Sequence, residues 1–137
     1  MALLILLELS FWLCWTKDSL KYYLNLQSLG KVIVCGGHTK TQGGGWSDEC
    51  FAYVDGAWVL HATMDKPRYW AAGTVMKGNV ENGTPDKLWI VAGENNIKTT
   101  QYIYADGTVE FGPEIPNGDE APCLVGLDNG DAFILGM

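Results

Sequence analysis

The chain has no CxxC pair of cysteines, no cluster of lysines and arginines, and no apolar run long enough to cross a bilayer as a helix. The first absence removes the common zinc-binding and thioredoxin-type readings of its four cysteines, Cys14, Cys35, Cys50 and Cys123. The second matters because the nine basic residues are scattered against sixteen acidic ones, for a net charge of −7. Nucleic acid and anionic membrane surfaces are therefore poor partners, since both are held by concentrated positive charge. The third applies to the most apolar stretch, MALLILLELSFWLCW at residues 1–15. It suits the hydrophobic part of a signal peptide but falls short of the roughly 20 residues of a spanning helix. No basic residue precedes Lys17, Glu8 interrupts the run, and no small-x-small cleavage site follows. Residues 1–20 thus read either as a signal peptide, or as a buried segment or an unreliable chain start, and no membrane insertion is expected.

Catalytic groups are equally sparse. Serine occurs only at positions 10, 19, 28 and 47, never within a GxSxG elbow, so no nucleophile stands out. The two histidines, His38 and His61, have no third ligand or carboxylate pair placed beside them by the sequence, and read as a loop residue and a strand residue. No catalytic residue, metal ligand set or cofactor is assigned. Gly43-Gly44-Gly45 lacks the GK[ST] ending of a phosphate loop and reads as a hairpin tip. Asp128-Asn129-Gly130-Asp131 has too few ligands for calcium and reads as a turn.

What the chain does have is apolar residues (47%), aromatics (12%) and seventeen glycines in 137 residues. That combination predicts one core built from short strands joined by many turns. Three segments look alike: Gly30-Lys-Val-Ile-Val-Cys-Gly-Gly37, Asp86-Lys-Leu-Trp-Ile-Val-Ala-Gly93 and Gly130-Asp-Ala-Phe-Ile-Leu-Gly-Met137. A short apolar run bounded by glycine predicts a strand buried on both faces. A second kind of segment follows the first two, at 49–60 and 100–111, aligning Tyr53 with Tyr104 and Asp55-Gly56 with Asp106-Gly107. Asp-Gly between strand-like runs predicts a hairpin with a type I′ turn, in which both central residues have positive φ. A further apolar run precedes each glycine-ended strand, at 22–26, 71–76 and 123–127.

The predicted unit is four hairpin-linked strands, a to d. The glycine-ended strands begin at 30, 86 and 130, so they are 56 and then 44 residues apart. Four strands in a period of about 50 residues resembles the kelch β-propeller pattern. The residues that carry the resemblance are Gly36-Gly37, Tyr53, Trp58 and Met64-Asp-Lys-Pro-Arg68, with Ala92-Gly93 and Tyr104 in the second unit. Val109 stands where the second tryptophan would be, and Met137 where a glycine would be. The resemblance implies an all-β fold of four-stranded antiparallel meander blades in an incomplete array: 21–64, 65–116 and the start of a third at 117–137. Two and a half blades do not close a propeller, which implies further blades or self-association to cover the open edges.

Cys35 and Cys50 lie directly opposite each other if the b to c hairpin is symmetric about Gln42 and Gly43. The pair reads either as a disulfide or as two independent buried thiols. A disulfide agrees with a secreted protein, as does the sequon Asn82-Gly83-Thr84, although Pro85 follows it.

In a meander, the b to c and d to a loops share one end of the blade. These loops are the longer ones and hold His38, Trp46, Arg68, Tyr69, Asn95 and Asn96 as candidate binding residues. Trp, Tyr and Arg dominate binding energetics, and rigid scaffolds present binding residues on loops. Trp46, in a hairpin tip, is expected to be an exposed anchor, whereas Trp70 is expected to begin a strand. The sequence therefore favours a module that binds an unidentified protein or peptide through this end. The alternatives are a sector of a propeller-fold enzyme, an oxidase or glycan-processing protein, and a truncated gene product.

Overall fold

A computed structural model of the chain describes residues 29–37, 45–118 and 122–136. The apolar segment 1–20, the expected first strand at 22–26, His38 and the Gly43-Gly44 part of the hairpin tip lie outside the described residues. The described part is all-β, without helix, and its strands form three antiparallel sheets. The first contains β1 (Val32–Cys35), β2 (Glu49–Val54) and β3 (Ala57–Thr63) in that order. The second contains β4 (Ala72–Met76), β5 (Lys87–Val91), β6 (Gln101–Tyr104) and β7 (Val109–Phe111), also in sequence order. The third pairs β8 (Cys123–Gly126) with β9 (Ala132–Leu135).

Turn chemistry accounts for the short connections. Asp55 and Gly56 adopt φ of 49° and 85° between the facing residues Val54 and Ala57, the type I′ geometry expected of Asp-Gly. Asp106-Gly107 departs from that expectation. There the loop has three residues, Ala105 to Gly107, closed by Tyr104 and Thr108, and only Gly107 has positive φ (88°). Asp128-Asn129-Gly130 makes the same three-residue loop, closed by Leu127 and Asp131, with φ 89° at Gly130. Glycine at the left-handed position of such a loop relieves a Cβ clash that any other residue would carry.

That extra turn residue offsets a shift of register. Tyr53 faces Val32, whereas Tyr104 faces Lys87, which stands one position earlier in its glycine-ended strand. A one-residue slip sends a side chain to the other face of its sheet. Tyr53 and Tyr104, aligned in sequence, therefore point to opposite faces. The longer turn restores the next strand, so Trp58 (opposite Tyr53) and Val109 (opposite Ile103) return to the same kind of face. The slip also corrects the alignment of Cys50 with Gln101, because Gln101 faces Ile90 and not Val91.

The sheets stack through their apolar faces. Ile33, Cys35, Cys50, Ala52 and Ala62 of the first sheet form one core cluster with Leu88, Ile90 and Ile103 of the second. Trp89 and Val91, on the opposite face of β5, form a second cluster with Leu124, Ala132 and Ile134 of the third sheet. Thus β5 is the two-sided strand predicted by its apolar run, with Leu88 to Val91 all buried. In β1 and β9 burial alternates, because among the described residues only one face of each outer sheet is covered by another sheet.

Cys35 and Cys50 form a disulfide within the first of these clusters. Their Cα atoms are 4.0 Å apart, and the adjacent pair carries the Gly36 N–H to Glu49 carbonyl bond (2.9 Å), so the cysteines are a non-hydrogen-bonded pair. Cys123 is also disulfide-bonded, and no described cysteine is a free thiol. Replacing Cys35 and Cys50 together by alanine is expected to lower stability by about 3 kcal/mol, the loop-closure value for a link of about 15 residues. Urea unfolding of the oxidised chain and the double variant measures this. A difference below about 1 kcal/mol would contradict the assigned role.

Candidate functional site

The loops between β2 and its preceding strand, between β3 and β4, between β5 and β6, and after β7 gather at one end of the stack. Their association follows from hydrogen bonds between them. Gly37 N–H donates to the Arg68 carbonyl (2.9 Å), and Arg68 N–H to the Ser47 carbonyl (3.1 Å). Glu94 N–H donates to the Tyr69 carbonyl (2.8 Å), Ile115 N–H to the Lys98 carbonyl (3.0 Å), and Gly118 N–H to Asn96 Oδ1 (2.8 Å). The result is one continuous belt of backbone.

Arg68 is its centre, and its burial corrects its reading as a candidate binding residue. The residue is 1% exposed. Its Nη1 donates to the carbonyls of Ala92 (2.8 Å) and Thr99 (3.0 Å), and its Nη2 to Asp65 Oδ1 (2.8 Å) and Thr99 Oγ1 (3.0 Å). Thr99 Oγ1 in turn donates to Asp65 Oδ2 (2.8 Å), and Gln101 Oε1 accepts from the Asp65 amide (2.8 Å). A guanidinium suits this place because its fork donates to several acceptors at fixed angles, where a lysine offers a point charge. The arginine therefore joins the first and second sheets and is not presented to a ligand.

Gly36 shows how closely the backbones approach. Its φ is 67°, and a Cβ there would collide with the Arg68 carbonyl oxygen. Ala92 holds the matching left-handed conformation (φ 59°) without glycine, at a cost of about 1 kcal/mol.

The remaining candidates divide between half-buried and exposed. Trp46 is half-buried, less open than its place in a hairpin tip implied. Tyr69 stacks on Trp70 with ring centroids 4.7 Å apart and planes 28° apart, and both are half-buried. Trp70 precedes β4 at φ 57°. Asn95 and Asn96 are exposed on consecutive left-handed residues (φ 70° and 56°), a conformation asparagine tolerates better than most side chains. Asn96 uses its carbonyl on Gly118, while Asn95 stands at the turn crest beside it.

At the opposite end lies a shallow depression of about 380 Å³ lined by Pro85, Tyr104, Ala105, Asp106, Thr108 and Glu110. Tyr104 OH donates to Glu110 (2.8 Å), which pushes the phenol up from its ordinary pKa. The Thr108 amide, donating at 2.9 Å, holds the Asp106 carboxyl below the usual carboxylate range. His61 Nε2 donates to the Tyr104 carbonyl (3.0 Å) and so ties β3 to the second sheet. Asn82 sits on an exposed tip between β4 and β5, its Oδ1 accepting from the amide (3.1 Å) and hydroxyl (2.5 Å) of Thr84. Among the described residues no three His, Cys, Asp or Glu gather in a group that could hold a metal ion. Also among them, no helix is long and apolar enough to cross a membrane.

Sequence reasoning missed two features here. Burial of Arg68 had a local signal, the carboxylate three residues earlier in Asp65-Lys-Pro-Arg68, whereas its acceptors Ala92 and Thr99 are long-range. The disulfide at Cys123 had none in spacing. Comparison with protein-family models, curated proteins and solved structures finds no match.

Replacing Arg68 by methionine is expected to cost about 3–5 kcal/mol, since it strands Asp65, the buried Ala92 carbonyl and the part-buried Thr99 carbonyl. Arg68→Lys is expected to recover only part of that, because it keeps charge without the fork. Denaturant unfolding of both variants checks the order; equal stability of Arg68→Met and the parent would contradict it.

Proposed function

We propose that this chain is a kelch-type β-propeller interaction module that binds a protein or peptide through the belt of loops centred on Arg68. The observation that carries the reading is the belt itself. Four loops flanking strands of the first and second sheets are fastened into one surface by a buried arginine network and by backbone hydrogen bonds, and that surface bears Trp46, Tyr69, Asn95 and Asn96. A fixed backbone with aromatic and amide side chains at its rim loses little entropy when a partner binds.

Several features support the propeller part of the reading. The second sheet runs a to d in sequence order, and neighbouring sheets pack face to face. The first strands of the second and third sheets also meet, where Gly126 N–H donates to Thr74 Oγ1 (3.0 Å). A blade-like array places its innermost strands side by side in this way. The buried Cys35–Cys50 disulfide fits an oxidising, extracellular location.

Selection of a random peptide library on the oxidised, immobilised chain tests the proposal. Selected peptides are expected to lose about ten-fold in affinity on Trp46→Ala or Asn95→Gly, the loss typical of a rim anchor. Glycine is chosen at 95 so that the positive φ is retained. Glu110→Ala, at the opposite end, is expected to leave binding unchanged. Peptides sensitive to Glu110→Ala and indifferent to the loop variants would overturn it.

A further inference from the structure

The sequence contains three Asn-Gly pairs, Asn82-Gly83, Asn117-Gly118 and Asn129-Gly130. An asparagine followed by glycine can react with its own backbone, because the next amide nitrogen lies within reach of the side-chain carbonyl and no Cβ shields it. The reaction is slow unless the nitrogen is uncommitted, the carbonyl oxygen can accept negative charge, and the chain has room to close a ring. The structure separates the three pairs on these grounds.

Asn82 meets all three conditions. It stands on the exposed tip between β4 and β5, where the neighbouring Val80 is 97% exposed. The Gly83 N–H donates to the Val80 carbonyl at 3.3 Å, a longer bond than the amide of Gly118 or Gly130 makes. Asn82 Oδ1 accepts from both the amide and the hydroxyl of Thr84. Thr84 is itself pinned by its backbone pair with Asn79 (2.9 Å in each direction), so both donors are in place before any charge develops. Preset donors of this kind stabilise an oxyanion. Nothing lies within 4 Å of where a Cβ on Gly83 would stand, which leaves room for a ring.

The other two pairs do not meet them. The Gly118 N–H is committed to Asn96 Oδ1 (2.8 Å), and a Cβ on this buried glycine would lie 2.5 Å from the Asn96 and Ile97 backbone. The Gly130 N–H donates to the Leu127 carbonyl (3.1 Å), and a Cβ there would lie 2.7 Å from the Lys77 carbonyl oxygen. Asn129 Oδ1 accepts from the Asp131 amide (3.1 Å), but its Nδ2 donates to the Asp131 carboxylate (2.7 Å). That carboxylate sets a negative charge beside the carbon on which the oxyanion would form.

We infer that Asn82 is a site of spontaneous covalent modification, reacting with water through a succinimide to give aspartate and isoaspartate. The Gly83 nitrogen attacks Asn82 Cγ and gives up its proton to solvent as the N–Cγ bond forms, while Oδ1 holds the negative charge against the Thr84 donors. The Cγ–Nδ2 bond then breaks, and the amide leaves as ammonia with a proton from solvent. Water adding at Cγ of the ring restores the ordinary backbone with aspartate at 82. Water adding at the backbone carbonyl carbon leaves the chain running through Cγ, as isoaspartate. The net change is one water consumed and one ammonia released, without oxidation. The tip gains a negative charge, and a converted chain no longer carries the sequon Asn82-Gly83-Thr84.

Incubation of the purified oxidised chain in mildly alkaline buffer, followed by proteolysis and mass spectrometry of the three Asn-Gly peptides, tests this. Labelling by an isoaspartyl methyltransferase identifies the isoaspartate form. Asn82 is expected to convert about ten-fold faster than Asn117 or Asn129, and the three rates are expected to draw together in urea, where the geometry is lost. Thr84→Val, on the exposed tip, is expected to slow Asn82 by about ten-fold, the worth of one hydrogen bond to a charged group, and to leave Asn129 unchanged. Thr84→Ser is expected to keep the parent rate, and far-UV circular dichroism checks that both variants keep the fold. Equal rates at the three sites of the folded chain, a lead by Asn117 or Asn129, a lead of Asn82 that persists in urea, or a parent-like rate in Thr84→Val would each overturn the inference.

Discussion

Alternation of side chains along a strand is the constraint from which this structure follows. A strand whose residues are apolar on both sides gives its sheet two faces that water disfavours, and both must be covered. In β5, Leu88 and Ile90 serve one core cluster while Trp89 and Val91 serve another, so the second sheet stands between two others. Everything else adjusts to that requirement. The three-residue turn at Ala105 to Gly107 compensates for the slipped register of β6, and returns Val109 to the core shared with the first sheet.

Where the sheets meet at their loop end, apolar packing alone would leave backbone carbonyls buried without partners. Arg68 resolves this by donating to Ala92 and Thr99 while Asp65 neutralises its charge. A buried cation is costly unless its charge is neutralised and its protons are bonded, and here one carboxylate and four hydrogen bonds from the two Nη atoms do most of this, leaving the buried Nε without a partner. The proposed binding surface therefore depends on a residue that takes no part in binding. Rigidity at the rim and burial at the centre are two consequences of one network.

The fold class was legible because its signals are local. Apolar runs closed by glycine became β1, β5 and β9, and Asp-Gly and Asn-Gly marked hairpins that formed. The opposition of Cys35 and Cys50 followed from symmetry of one hairpin, and the observed pairing has that register. Features decided by parity or by distant partners were not legible. Tyr53 and Tyr104 align by letter, yet a single slip in pairing with the glycine-ended strand separates their faces. Arg68 in a loop reads as a candidate binding residue, since the acceptors that bury it lie 24 and 31 residues downstream. Trp46, in a hairpin tip, reads as an exposed anchor and is half-buried. The proposed partner, a peptide or protein, leaves no local signature.

The central claim is that the three sheets form a stack in which the second separates two distinct cores. Double-mutant cycles measure this most directly, using denaturant unfolding of Ile33→Val, Ile103→Val and Ile134→Val singly and in pairs. Ile33 and Ile103 belong to one cluster and Ile134 to the other. The account predicts a coupling of about 0.5 kcal/mol or more between Ile33 and Ile103, with Ile33 and Ile134 additive within about 0.3 kcal/mol. Coupling of Ile33 to Ile134 with none to Ile103 would contradict it.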